Sequence, residues 1–164
     1  MRKIPNLASI LKEKNTCRDH IVMYLFNFKS YGTFLEIGTT DNSTQSGTYL
    51  LEREMKWRGC AFENSENKKR IQHYREFRRS PIFHTQHLTS IFERNLLPID
   101  IDYLNINVEN PLPILQSIDF RKHNISTISL FTSNSLHDRL MWTQGYSTLV
   151  RFGNFQQFVQ IGRA

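Results

Sequence analysis

Short β-rich runs alternate with helical periodicities along most of this chain, and no other feature constrains its fold as tightly. Residues 33–37 form a compact apolar run that stops at Gly38, and 60–62 form a second that stops at Glu63. Residues 99–108 and 125–131 are Ile-rich strands, and 81–84 is a short, weakly marked one. Helical spacing covers 16–28, 48–57, 66–79, 88–95 and 136–144, with one more short helix marked by Leu7, Ile10 and Leu11. Thr16 is placed to cap the 16–28 helix, and Asp19 favours its first turn. Strands separated by helices imply βαβ units, a mostly parallel sheet and helices on both faces. At the C-terminal end, 146–152 and 155–161 flank Gly153-Asn154, which predicts an antiparallel β-hairpin. A chain of 164 residues suits one domain, here a helical segment over 1–32 packed on a sheet domain over 33–164.

Composition removes several alternatives. Apolar residues make up 39% and charged residues 22%, which excludes disordered and collagen-like chains. Cys17 and Cys60 are too few for a disulfide framework or a zinc site of their own. No apolar run has signal-peptide or membrane-span length, so the expectation is a soluble, cytoplasmic protein. The net charge of +6 keeps an anionic partner in view.

Ligands of open parallel sheets gather at the carboxyl ends of the strands. Gly38 stands at one such end, where the absence of a Cβ lets backbone approach a ligand. Glu63 stands at the next, 25 residues on, where a carboxylate can accept hydrogen bonds from both hydroxyls of a ribose. The competing reading of Glu63 is a solvated residue leading into the next helix.

Several segments carry a more specific resemblance. Phe34-Leu35-Glu36-Ile37-Gly38, the 46–54 segment beginning Ser46-Gly47-Thr48-Tyr49, and Trp57-Arg58-Gly59-Cys60-Ala61-Phe62-Glu63 occur in the order seen in the FkbM-type methyltransferases. Ile101 to Glu109 is similar to that family's fourth-strand motif, and Gly145-Tyr146 to the pair before its closing hairpin. The resemblance spans residues 33–161. It implies a Rossmann-like methyltransferase fold and an enzyme that moves a methyl group from S-adenosylmethionine to a hydroxyl oxygen of a small molecule or sugar. By the same resemblance, Glu36, Gly38, Thr39, Thr40 and Asp41 line the methionine and ribose end, and Glu63 holds the ribose hydroxyls. Asn107 and Glu109 face the reacting centre, Asn107 also contacting the cofactor and Glu109 being the candidate general base. Two departures stand out: Gly38-Thr39-Thr40-Asp41-Asn42 lacks the loop's second Gly, and Asn107-Val108-Glu109-Asn110 replaces Asp-Val-Glu-Gly. They motivate an alternative, a catalytically inactive relative of the fold acting as a binding module.

Two further clusters have chemical readings. His84 and His87 have a ligand-like spacing, but no third ligand is near in sequence, so no metal is expected. Lys68, Lys69, Arg70, Arg75, Arg78 and Arg79 form a basic helix that reads first as a solvated face and second as a nucleic-acid contact. Neither the methyl acceptor nor the oligomeric state is written in the sequence.

Overall fold

The computed structural model describes residues 18–38, 47–64, 66–94, 97–132, 134–152 and 155–161. The expected helix at Leu7–Leu11, the Thr16 cap, the loop residues Thr39, Thr40 and Asp41, and the Gly153-Asn154 turn lie outside them.

Seven strands form one sheet: β1 (Thr33–Ile37), β2 (Arg58–Glu63), β3 (Ile82–His84), β4 (Asp100–Ile106), β5 (Asn124–Leu130), β6 (Tyr146–Phe152) and β7 (Phe155–Gln160). Their spatial order is β3-β2-β1-β4-β5-β7-β6. The β1–β2, β1–β4, β2–β3 and β4–β5 pairs are parallel, whereas β7 runs antiparallel to both β5 and β6. The chain therefore winds outward from β1 in one direction, then restarts at β4 on the other side. In open α/β sheets such a reversal marks the ligand crevice, which here corresponds to the carboxyl ends of β1 and β4.

Strand periodicity divides the apolar residues between two faces. Leu35, Ile37, Leu104, Ile106 and Phe62 join the larger core, which is closed by α4 (Leu88–Glu93), α5 (Leu112–Ser117) and α6 (Ser135–Thr143) through Leu88, Phe92, Leu115 and Met141. Phe34 and Tyr103 face the other way, against Val22 of α1 (Arg18–Leu25), Leu51 of α2 (Tyr49–Arg53) and Trp57. Fully burying one such side chain contributes about 1.5–3 kcal/mol. The remaining helix, α3 (Lys68–Phe77), connects β2 to β3.

Three elements depart from the sequence reading. The helix expected over 48–57 ends at Arg53, because Lys56 takes a left-handed φ of 57° and Trp57 turns inward to donate its indole N–H to the Lys29 carbonyl at 2.7 Å. Within the described residues, the first helix stops at Leu25, since Asn27 and Phe28 adopt φ of 48° and 57°. Helix α5 is an addition in a stretch to which the sequence reading assigned no element; Pro111 caps it and Pro113 sits in its first turn, where a missing N–H has no intrahelical partner.

Candidate functional site

Three parallel strands are tied together where the crevice opens. The Gly38 N–H donates to the Phe62 carbonyl at 2.9 Å, and the Asn107 N–H donates to the Ile37 carbonyl at 2.7 Å. Gly38 has φ of +77°, and a Cβ on it would lie 2.3 Å from the Asn107 carbonyl oxygen. Glycine is therefore required there both by conformation and by space. Glu63 ends β2 with its side chain buried, and one carboxylate oxygen accepts from the Asn64 N–H at 2.8 Å. Gly38, Glu63 and Asn107 thus converge at the ends of three adjacent strands. Glu109 lies exposed beyond β4, its backbone carbonyl accepting from the Thr132 hydroxyl at 3.2 Å.

Glu36 sits one layer deeper. It is fully buried and accepts from the Thr48 hydroxyl at 2.7 Å and from the Asn105 amide at 3.4 Å, with Arg78 Nη1 at 3.5 Å. Arg78 also donates through Nε to Glu52 and through Nη2 to Thr48, the latter at 2.7 Å. Glu52 in turn accepts from the Arg79 and Ser80 N–H groups at 3.0 and 2.6 Å. Burial pushes the Glu52 carboxyl up, but the Arg78 charge and these hydrogen bonds more than offset it and hold the group below its ordinary value. One member of the basic cluster departs from its reading as a solvated face: Arg78 faces inward into a buried ion pair, whereas Lys68, Lys69, Arg75 and Arg79 are exposed.

A second guanidinium, which sequence reasoning passed over, lies at the same edge of the sheet. Arg18, at the start of α1, donates to Asn105 Oδ1 at 3.2 Å and to Asn107 Oδ1 at 3.4 Å. It lies 5.4 Å from the centroid of the Phe131 ring and 5.7 Å from that of Phe155. Its neighbour Asp19 lies in the first turn of α1, as its sequence position implies, is fully buried, and also ties α1 to α2 by accepting from the Leu50 N–H at 2.9 Å. Burial pushes the Asp19 carboxyl up to about 6, against the opposing effect of the Leu50 N–H. No local signal marks Arg18, since the partners that give it meaning are 87 and 89 residues away.

Elsewhere, an apolar cleft of about 400 Å³ opens toward the amino-terminal ends of β1, β2 and β4, lined by Phe34, Cys60, Phe62, Phe83, Ile91 and Ile101. Burial pushes the Cys60 thiol up to about 11, which leaves it a poor nucleophile near neutral pH. His84 and His87 have ring centroids 6.2 Å apart, and among the described residues no group of three potential ligands converges on a metal position. No helix of the described residues is long and apolar enough to cross a membrane.

No family model matches the chain, and no curated protein matches it by sequence. Solved structures do. A methyltransferase from Pyrococcus furiosus is similar with a TM-score of 0.57 at 13% identity, over 85% of this chain and 78% of the other. Precorrin-6y C5,15-methyltransferase from Geobacter metallireducens GS-15 is similar with a TM-score of 0.56 at 12% identity, over 94% and 91%. MtNAS, solved in complex with MTA and tNA, is similar with a TM-score of 0.55 at 11% identity, over 94% and 68%. The chain has the Rossmann-like fold of these methyltransferases, a mostly parallel seven-stranded sheet closed by an antiparallel hairpin.

Proposed function

We propose that this protein is an S-adenosylmethionine-dependent methyltransferase of the FkbM-like kind, acting on a hydroxyl oxygen of a small molecule or sugar. The observation that carries the reading is the convergence of Gly38, Glu63 and Asn107 on the crevice where the strand order reverses. The donor set fits the cofactor. Bare backbone at Gly38 admits close approach, and a buried carboxylate at the end of β2 suits a vicinal diol. When bound, the cofactor supplies a sulfonium methyl group as electrophile.

The chain's own task is alignment and proton handling. Glu63 accepts the ribose hydroxyls, and Gly38 with the adjoining Thr39, Thr40 and Asp41 receives the methionine end. Glu36, bonded to Thr48 and Asn105, fixes the end of β1 that leads into Gly38. Asn107 orients the acceptor, and Glu109 takes the hydroxyl proton as attack proceeds. Calorimetric titration with S-adenosylmethionine and S-adenosylhomocysteine tests the reading. Micromolar affinity that falls at least about tenfold in Glu63→Ala is expected; no heat at millimolar ligand overturns it.

One observation favours a second reading, a non-catalytic binding module on the same fold. The Arg18 side chain is seated on Asn107, at the end of β4 where the acceptor is to be oriented. The two readings part in the same titration, because a module that has lost the cofactor gives no heat.

A further inference from the structure

Arg18 holds a charge that the described protein does not neutralise. Its hydrogen bonds go to two neutral amide oxygens, Asn105 Oδ1 and Asn107 Oδ1, and it ion-pairs with no carboxylate among the described residues. The carboxylates around it are committed elsewhere: Asp19 to the Leu50 N–H, Glu36 to Thr48 and Arg78. Holding a partly buried guanidinium without an anion is costly unless something compensates it. A guanidinium carries five N–H donors in a planar fork, and two of these hydrogen bonds are accounted for here.

Its position says what the compensating group belongs to. Gly38 and Glu63, the residues assigned above to the cofactor, end β1 and β2. Arg18 instead sits over the ends of β4, β5 and β7, against Asn107, Phe131 and Phe155. Phe131 follows β5 directly and is 42% exposed, so an apolar wall faces solvent beside the charge. The two rings flank the guanidinium and add cation–π attraction. A fixed, planar, unneutralised fork beside an open apolar wall matches the recognition of a carboxylate or phosphate.

We infer that Arg18 is the anion-recognition residue of the acceptor site, and that the methyl acceptor carries a carboxylate or phosphate group. The inference rests on the methyltransferase reading for the word acceptor, but the anion site itself does not. The test therefore separates the two. Binding of benzoate, phenyl phosphate and neutral benzamide to the full chain is measured by ligand-observed NMR, in the wild type, Arg18→Gln and Arg18→Lys. S-adenosylhomocysteine is titrated into the same three proteins, and thermal melts establish that each is folded.

The expected result is a preference for the two anions over benzamide of at least about tenfold in the wild type. Arg18→Gln reduces it to within about twofold, Arg18→Lys retains part of it, and S-adenosylhomocysteine affinity changes by less than about twofold. Absence of anion preference in the wild type overturns the inference, as does its persistence in Arg18→Gln. A tenfold loss of S-adenosylhomocysteine affinity in Arg18→Gln also overturns it, by assigning the guanidinium to the cofactor's carboxylate. If the wild type fails to bind S-adenosylhomocysteine yet keeps the Arg18-dependent anion preference, the enzymatic reading falls and the anion site stands.

Discussion

Two guanidinium groups serve the same end of the sheet in opposite ways. Arg78 is buried among Glu36, Glu52 and Thr48, so its charge is answered twice by carboxylates of the chain itself. Arg18 is partly buried among Asn105, Asn107, Phe131 and Phe155, so among the described residues its charge is met by dipoles and ring faces. Asn105 touches both systems, giving its amide to Glu36 and its oxygen to Arg18. A charge answered inside the protein holds elements together; one answered only by neutral groups is open to a ligand. In this molecule the first kind joins α2, β1 and the segment before β3, and the second lies at the crevice.

The comparison breaks most visibly at Arg78. Truncation in Arg78→Met leaves Glu36 and Glu52 buried without their cation, and removing one partner of a buried pair costs about 3–5 kcal/mol. Urea denaturation should show a loss of that size, with the midpoint lowered and the slope kept. A loss below about 1 kcal/mol, the size typical of exposed pairs, would contradict the buried ion-pair account.

Asp19 sharpens the contrast through pH. Its carboxyl is raised to about 6 by burial, so the folded state binds a proton more tightly than the unfolded chain, whose group titrates near 3.8. Stability therefore falls as pH rises from about 4 to about 6, and the full penalty is present above that window. Asp19→Asn keeps an acceptor for the Leu50 N–H and removes the titration. The variant should be more stable than the wild type at pH 7, by up to about 3 kcal/mol, and equal to it near pH 4. Denaturation across that range checks the sign. A wild type whose stability rises from pH 4 to 6 relative to Asp19→Asn refutes the assignment.

Sequence patterns reported the sheet well and the site in part, for a physical reason. Alternation and helical spacing are local, so β1, β2, β4, β5 and the terminal hairpin fall where periodicity places them. Even the three-residue β3 is found, pairing Ile82 with Ala61. Helix α5 is hard to find by periodicity because it has only six residues and begins with prolines, which a helix's first turn accepts as readily as a turn does. Gly38 was legible because a glycine after a strand has few uses, and its φ of +77° is one of them. Arg78 was misread because six basic residues in one stretch resemble a solvated face, and only the folded sheet brings Glu36 and Glu52 to one of them. Arg18 was invisible for the same reason, its partners being set by tertiary packing. Thr39, Thr40 and Asp41, expected at the cofactor, lie outside the described residues.

The smallest effect on stability is expected at Arg18, and its smallness is the point. Both of its hydrogen-bond partners are neutral, and Asn105 keeps a bond to Glu36 when the guanidinium is gone. Arg18→Gln should therefore change the unfolding free energy by less than about 1 kcal/mol, a fraction of the Arg78→Met loss. Since Asn105 joins both systems, the double variant should depart from additivity by no more than about 0.5 kcal/mol if the two guanidinia act separately. A larger coupling, or an Arg18→Gln loss comparable to that of Arg78→Met, makes Arg18 a second structural clamp. The difference between a self-satisfied and a ligand-seeking charge would then disappear from this fold.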